Sequence, residues 1–175
     1  MAEDLPKGLD ERENVELRGR ARHPFYRRAL LALVAVLPVL ALLNVFGQKP
    51  LTSSASTPAA TLTVDAPDHL RGGLIYQARF EITARRAIAH PTLLLDTGWW
   101  EGMSVNSIEP QPSSESSQNG KPTLSFDSLS AGQRLVVWIY YQANPTNVGH
   151  RNQSVVLADG TTPLVRITRH VTVYP

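Results

Sequence analysis

The chain has no cysteine and only two methionines among its 175 residues, which bounds its chemistry before any pattern is read. Without thiols there is no disulfide to stabilise an exported domain, no thiolate nucleophile, no Cys-based metal site and no lipid-modified N-terminal Cys. Copper carriage by small anchored β-domains usually draws on Cys or Met clusters, and Met1 and Met103 do not make one. The five histidines, His23, His69, His90, His150 and His170, are dispersed, with no pair at the spacing of a helical or hairpin metal site. No serine stands in a Gly-x-Ser-x-Gly elbow, so a hydrolase of that type has no support. Asp65 and Asp68 flank Ala66-Pro67 and could ligate calcium between strands, although Asp in a Pro-containing turn is foremost a turn former. No reacting constellation emerges, and the expectation is a non-catalytic protein with no cofactor and no metal site.

A strong charge of one sign is also lacking. The formal net charge is +2 and the pI about 9.2, but the basic excess is not spread along the chain. Residues 1–28 hold seven Lys/Arg against six Asp/Glu, the segment after Thr61 holds nine of each, and Lys49 supplies the remainder. A neutral C-terminal region has no electrostatic basis for holding nucleic acid, which is therefore not an expected partner.

What is present is one long apolar run. Ala29 to Gln48 (ALLALVAVLPVLALLNVFGQ) contains no charge, and twenty residues at ~1.5 Å each make a helix of about 30 Å, the thickness of a bilayer's hydrocarbon core. Arg18, Arg20, Arg22, Arg27 and Arg28 precede the run with no acid among them, whereas the thirteen residues after it carry only Lys49. By the positive-inside rule the N-terminus is cytoplasmic and the remainder extracytoplasmic, a single-pass topology in the plasma membrane. Small residues at Ser53-Ser54-Ala55 and Thr57-Pro58-Ala59 would suit a signal peptidase, but the run exceeds the roughly 7 to 15 apolar residues of a signal peptide. A retained signal anchor is the expectation. Within it, Pro38 removes a backbone donor and Asn44 places an amide near the outer boundary, making both candidates for packing on a partner helix.

The expected layout is a cytoplasmic tail at 1–28, a transmembrane helix at 29–48, a Ser/Thr/Pro linker at 49–60 and one domain at 61–175. From Thr61 the hydrophobic period changes to two. Leu74, Tyr76, Ala78, Phe80, Ile82 and Ala84 alternate with more polar neighbours, and Leu135, Val137, Ile139, Tyr141 and Ala143 repeat the pattern. In the second segment the opposite face, Val136, Trp138 and Tyr140, is also apolar, which predicts a central strand with Trp138 buried. Shorter strands are predicted at Leu62–Val64, Thr92–Leu95, Met103–Ile108, Thr123–Phe126, Ser154–Leu157 and Val165–Val173, and Glu109–Pro122 reads as a polar loop. No segment after Gln48 has a helical period. The expected fold is all-β, an antiparallel sandwich of about seven strands after one transmembrane α-helix.

The segment Trp99-Trp100-Glu101-Gly102-Met103 stands out as a candidate partner-binding patch. Adjacent side chains on an extended backbone face opposite sides, so one Trp would enter the core and the other would be an exposed anchor, unless the turn folds back and buries both. Asn152-Gln153-Ser154 fits the N-glycosylation pattern, a match that arises readily by chance.

Four pieces of the C-terminal region carry a family resemblance. They are Gly73-Leu74-Ile75-Tyr76 opening a long strand, Leu94-Leu95-Asp96 before a Gly-containing turn, Leu129-Ser130-Ala131-Gly132-Gln133 opening the central strand, and Asn152 to Ala158 after a Gly149 turn. Their order resembles the bacterial surface Ig-like modules grouped as domain of unknown function eleven, over roughly residues 61–159. The resemblance implies an Ig-like sandwich and an interaction role at the surface, and it carries over no catalytic residue. The expected function is a membrane-anchored interaction or scaffold module of the bacterial envelope, in contact with lipid and with an envelope or membrane protein. The alternatives are an accessory subunit held to a membrane complex through the helix, and an enzyme or metal carrier.

Overall fold

A computed structural model describes residues 23–43 and 48–175. The chain divides into two compact units between residues 46 and 47.

The first unit is one helix, α1 (His23–Leu42), extended by a Leu43 N–H donating to Val39 O at 2.9 Å. Its start lies six residues before the apolar run. Pro24 suits a first helical turn, where its missing donor costs nothing, and Arg27 and Arg28 are good helix formers. Pro38 sits inside the helix and removes the bond that would reach Val34. The large apolar side chains of α1 are exposed, and Pro24–Leu42 is long and apolar enough to cross a bilayer. Asn44 lies outside the described residues.

The second unit is all β. Its strands are β1 (Pro50–Ser56), β2 (Ala60–Pro67), β3 (His69–Arg71), β4 (Ile75–Ala84), β5 (Pro91–Leu95), β6 (Met103–Glu109) and β7 (Ser114–Gln118). They continue with β8 (Lys121–Ser125), β9 (Arg134–Ala143), β10 (Gly149–Asn152), β11 (Val155–Asp159), β12 (Thr162–Ile167) and β13 (His170–Tyr174). A large antiparallel sheet has the order β1-β2-β4-β9-β6, a second five-stranded sheet β12-β11-β5-β8-β7, and a small third sheet β10-β13-β3. The sheets pack as a sandwich around one core, to which the large sheet contributes Leu62, Phe80, Ile82 and Ile139 and the second sheet Leu93, Leu95, Leu124 and Leu157. Period-two alternation produces this core directly, because every second side chain of β2 and β4, and of β9 from Val137 onward, is buried.

The described residues hold thirteen strands where about seven were expected. Pro50–Ser56, read as linker, is a strand paired along its whole length with β2, where Ser54 and Ser56 meet Thr63 and Thr61 at 3.1 and 2.9 Å. Ser/Thr-rich composition is compatible with an edge strand because such a strand needs ladder partners more than apolar side chains. The same reason places β7 in the segment read as a polar loop: all five of its residues are exposed, and its backbone pairs with β8. The predicted strand Val165–Val173 is two strands in different sheets, β12 and β13, separated at Thr168-Arg169. β9 is an inner strand between β4 and β6, but its second apolar face carries no covering layer of β structure, so Trp138 is half-buried on the outside rather than in the core.

Phe80→Ala, at a fully buried position, is expected to lower the unfolding free energy by about 3 to 5 kcal/mol. Trp138→Ala should cost clearly less. Urea titrations of both variants, with and without reductant, check the assignment of inner and outer faces, and the midpoints should not respond to reductant.

Candidate functional site

The Trp pair falls in a tight turn. A 3-10 turn at Thr97–Trp99 joins β5 to β6, with Trp99 N–H donating to Asp96 O at 3.0 Å and Trp100 N–H to Thr97 O at 2.9 Å. Extended-chain alternation therefore does not apply there. Gly98 makes the turn possible, since a Cβ at that position would stand 2.4 Å from the backbone O of Asn152. Trp99 packs inward at this turn. Its indole is completely buried, its Nε1–H donates to Gln153 O at 2.9 Å, and its ring lies 5.1 Å from Phe80 and 5.7 Å from Tyr141.

Around Trp99 is a buried polar group of side chains that the sequence did not single out. The Arg169 guanidinium lies 5.4 Å from the Trp99 ring centre, and its Nη2 donates to Ala66 O and Pro67 O at 2.9 Å each. Burial pushes its pKa below the ordinary arginine value. Gln153 Nε2–H donates to Tyr76 Oη at 3.3 Å, and burial pushes the Tyr76 and Tyr141 phenols up. The triplet Asn152-Gln153-Ser154 has a local structural use: Asn152 Oδ1 accepts from Ser154 N–H at 3.0 Å and from its hydroxyl at 2.6 Å, and Gln153 is wholly buried. Trp99, Gln153 and Arg169 tie the turns to the core, while Tyr141 Oη, Gln153 Oε1 and Arg169 Nε and Nη1 are buried without a hydrogen-bond partner.

Of the four candidate partner-binding residues, Trp99 and Met103 are core residues and cannot face a partner in this conformation. Met103 is enclosed beside Asn147, whose side chain occupies the place that a Cβ on Gly102 would take. Trp100 is half-buried and lines a shallow cavity of about 290 Å³ with Ser116, Ser117 and Pro122, and Glu101 is exposed. Asp65 and Asp68 are engaged separately, by Arg79 at 2.8 Å and by His69 at 2.8 Å. Among the described residues no group of three or more His, Asp or Glu is placed to hold a metal ion.

The most developed surface feature is the outer face of the large sheet. Strand register puts Thr52, Asp65, Arg79, Trp138 and Glu109 in one row across all five strands. Along it, Thr52 donates to Asp65 at 2.5 Å, Arg79 donates to Asp65 at 2.8 Å, and the Arg79 guanidinium lies 5.4 Å from the Trp138 ring centre. Glu81, one step along β4, pairs with both Arg79 and Arg134. The hydrogen bond to Asp65 first, then Glu81, raises the Arg79 pKa. Val136, Trp138 and Tyr140 form a half-buried apolar stripe on β9 beside this network, and Asp65, Ile75, Gln77, Arg79 and Trp138 line a groove of about 580 Å³. The sequence signal for this surface was the apolar second face of β9, which alternation alone assigns to the interior.

No protein-family model and no curated protein matches the chain. Among solved structures it is similar to the CARDB domain of a Pyrococcus furiosus protein in complex with di-metal ions, at a TM-score of 0.42 and 12% identity, covering 68% of this chain and 97% of that one. It is also similar to AvmM, described as catalysing macrocyclization in alchivemycin A biosynthesis, at a TM-score of 0.40 and 6% identity, covering 74% of this chain and 92% of that one.

Trp99→Phe should leave the Gln153 carbonyl buried without its indole donor and cost about 1 to 3 kcal/mol beyond the change in ring size. Gly98→Ala should destabilise as well, because its Cβ meets backbone rather than a movable side chain. Chemical denaturation of both, beside a milder Trp100→Ala, measures how far the turn depends on this one contact.

Proposed function

We propose that the chain is a membrane-anchored, non-catalytic binding module of the bacterial envelope, whose sandwich lies outside the cytoplasm and presents the outer face of its large sheet to a protein partner. The observation that carries this reading is the half-buried apolar stripe Val136, Trp138 and Tyr140 on the outer face beside Arg79. An inner strand of an antiparallel sheet ordinarily shows water a polar face, and an apolar stripe rimmed by charge is the composition of an interaction surface. Trp, Tyr and Arg are also the residues that most often dominate binding energy. The apolar helix and the arginines before it support the anchor and its orientation. The order of turns and strands that resembles domain-of-unknown-function-eleven modules supports a surface role. Pro38, inside α1 with apolar side chains exposed around the helix, favours a second reading in which the helix itself packs on a membrane subunit.

Protease added to intact spheroplasts should digest the sandwich and spare the N-terminal tail. Protection of the sandwich would reverse the topology. A photo-crosslinking side chain at Tyr140 should yield a discrete adduct in cells, and Trp138→Ala should weaken that association by about 2 kcal/mol or more, roughly thirtyfold in Kd. Adducts formed only from positions in α1 would favour the helix-packing reading instead.

A further inference from the structure

The five large apolar side chains that are exposed in the described part of the second unit are Leu51, Leu74, Ile75, Val148 and Tyr174. They are far apart in sequence and gather at one end of the sandwich. Pro50 pairs with Pro67, and Asp65 with Arg79, so the first residues of β1, the last of β2 and the start of β4 lie at the same end. β3 continues from β2 in that direction and β13 runs parallel to it, with Tyr174 opposite Arg71 and Gly149 opposite Val173. Leu74 O accepts from Ala143 N–H at 3.0 Å, which fixes the turn after Gly73 beside the end of β9. The opposite end, with Arg85, Arg86 and the Ser130–Gln133 turn, shows no exposed large apolar side chain.

The apolar end is also where the chain enters the domain. From Leu43 to Gln48 there are five residue steps, which span at most about 18 Å even when fully extended. With α1 as the anchor proposed above, a tether this short holds the chain-entry end close to the bilayer surface, within reach of its headgroups. We infer that the chain-entry end of the sandwich is a membrane-docking surface that inserts Leu74, Ile75 and Tyr174 among phospholipid headgroups. Tyr174 stacks on His69 with ring centres 5.9 Å apart and planes 8° apart, an amphipathic pair suited to the boundary between water and lipid. Ile75, 61% exposed at the mouth of a strand, is an apolar side chain that such insertion would bury. Charge of both signs lies at this end, Arg71 and Arg151 beside Asp68, and the proposed attraction is the apolar one.

The absence of native cysteine allows a direct test. Full-length protein is reconstituted in phosphatidylcholine vesicles with a single nitroxide at Val36→Cys, Ile75→Cys, Tyr174→Cys or Arg86→Cys, and the accessibility of each label to oxygen and to a water-soluble nickel complex is measured. The Val36 label should be in hydrocarbon, the Ile75 and Tyr174 labels roughly 5–10 Å into the interface, and the Arg86 label in water. Paired Leu74→Ser and Ile75→Ser changes should move the Tyr174 label toward water. Labels at 75 and 174 as nickel-accessible as that at 86, with Val36 in lipid, would overturn the docking surface and leave the anchor standing. A Val36 label in water overturns both. Dipolar broadening at 75 or 174 that disappears on dilution with unlabelled protein would identify a second copy as the occupant and overturn the lipid assignment.

Discussion

The burial of the Trp99 indole is the contact on which the sandwich's connections depend. Its ring packs on Phe80 and Tyr141 from the large sheet, its nitrogen holds the Gln153 carbonyl between β10 and β11, and its face receives the guanidinium of Arg169 between β12 and β13. Arg169 in turn holds the carbonyls at the end of β2. Three connections distant in sequence thus meet on one side chain, and the end of β2 joins them through Arg169. A domain without disulfides has to join its turns to its core by packing and hydrogen bonds. Arg169 is compensated for part of its lost solvation by two carbonyls on Nη2 and by an aromatic face, its Nε and Nη1 being buried without a hydrogen-bond partner.

With the inner faces committed to that core, the remaining surface separates into regions of different chemistry. The outer face of the large sheet carries an ordered row from Thr52 to Glu109, in which Asp65, Arg79 and Trp138 hold one another in place. Preorganised side chains lose less entropy on binding than mobile ones, which supports the protein contact proposed for this face. The chain-entry end has exposed apolar groups, the chemistry of the lipid contact proposed for it. These two proposed contacts adjoin at Ile75, which lines the groove and also lies at the chain-entry end.

Much of the architecture was legible because alternation is a local property. Tyr76, Phe80 and Ile82 on β4, and Val137, Ile139 and Tyr141 on β9, face inward as their spacing predicts. Edge strands escaped notice: β1 and β7 are made of Ser, Thr, Pro and Gln, and they are strands because a neighbour offers backbone partners. The candidate patch at residues 99–103 was only partly legible, since a 3-10 turn cancelled the alternation on which it was judged. Trp138 was misplaced for the opposite reason, because an apolar second face does not reveal whether another layer covers it.

The sequence by itself determined the features that depend on composition and on neighbours in the chain: one apolar helix behind a cluster of arginines, a neutral cysteine-free domain, and a period of two that requires a sheet with one buried face. Tertiary structure decided which residues meet across long separations. Thr52 and Trp138 share a row only because three pairings set the register; the first two of these also bring Leu51 and Ile75 to one end, and the parallel pairing of β3 with β13 adds Tyr174. Strand register and turn geometry are fixed by contacts between distant segments, and no local pattern encodes them uniquely.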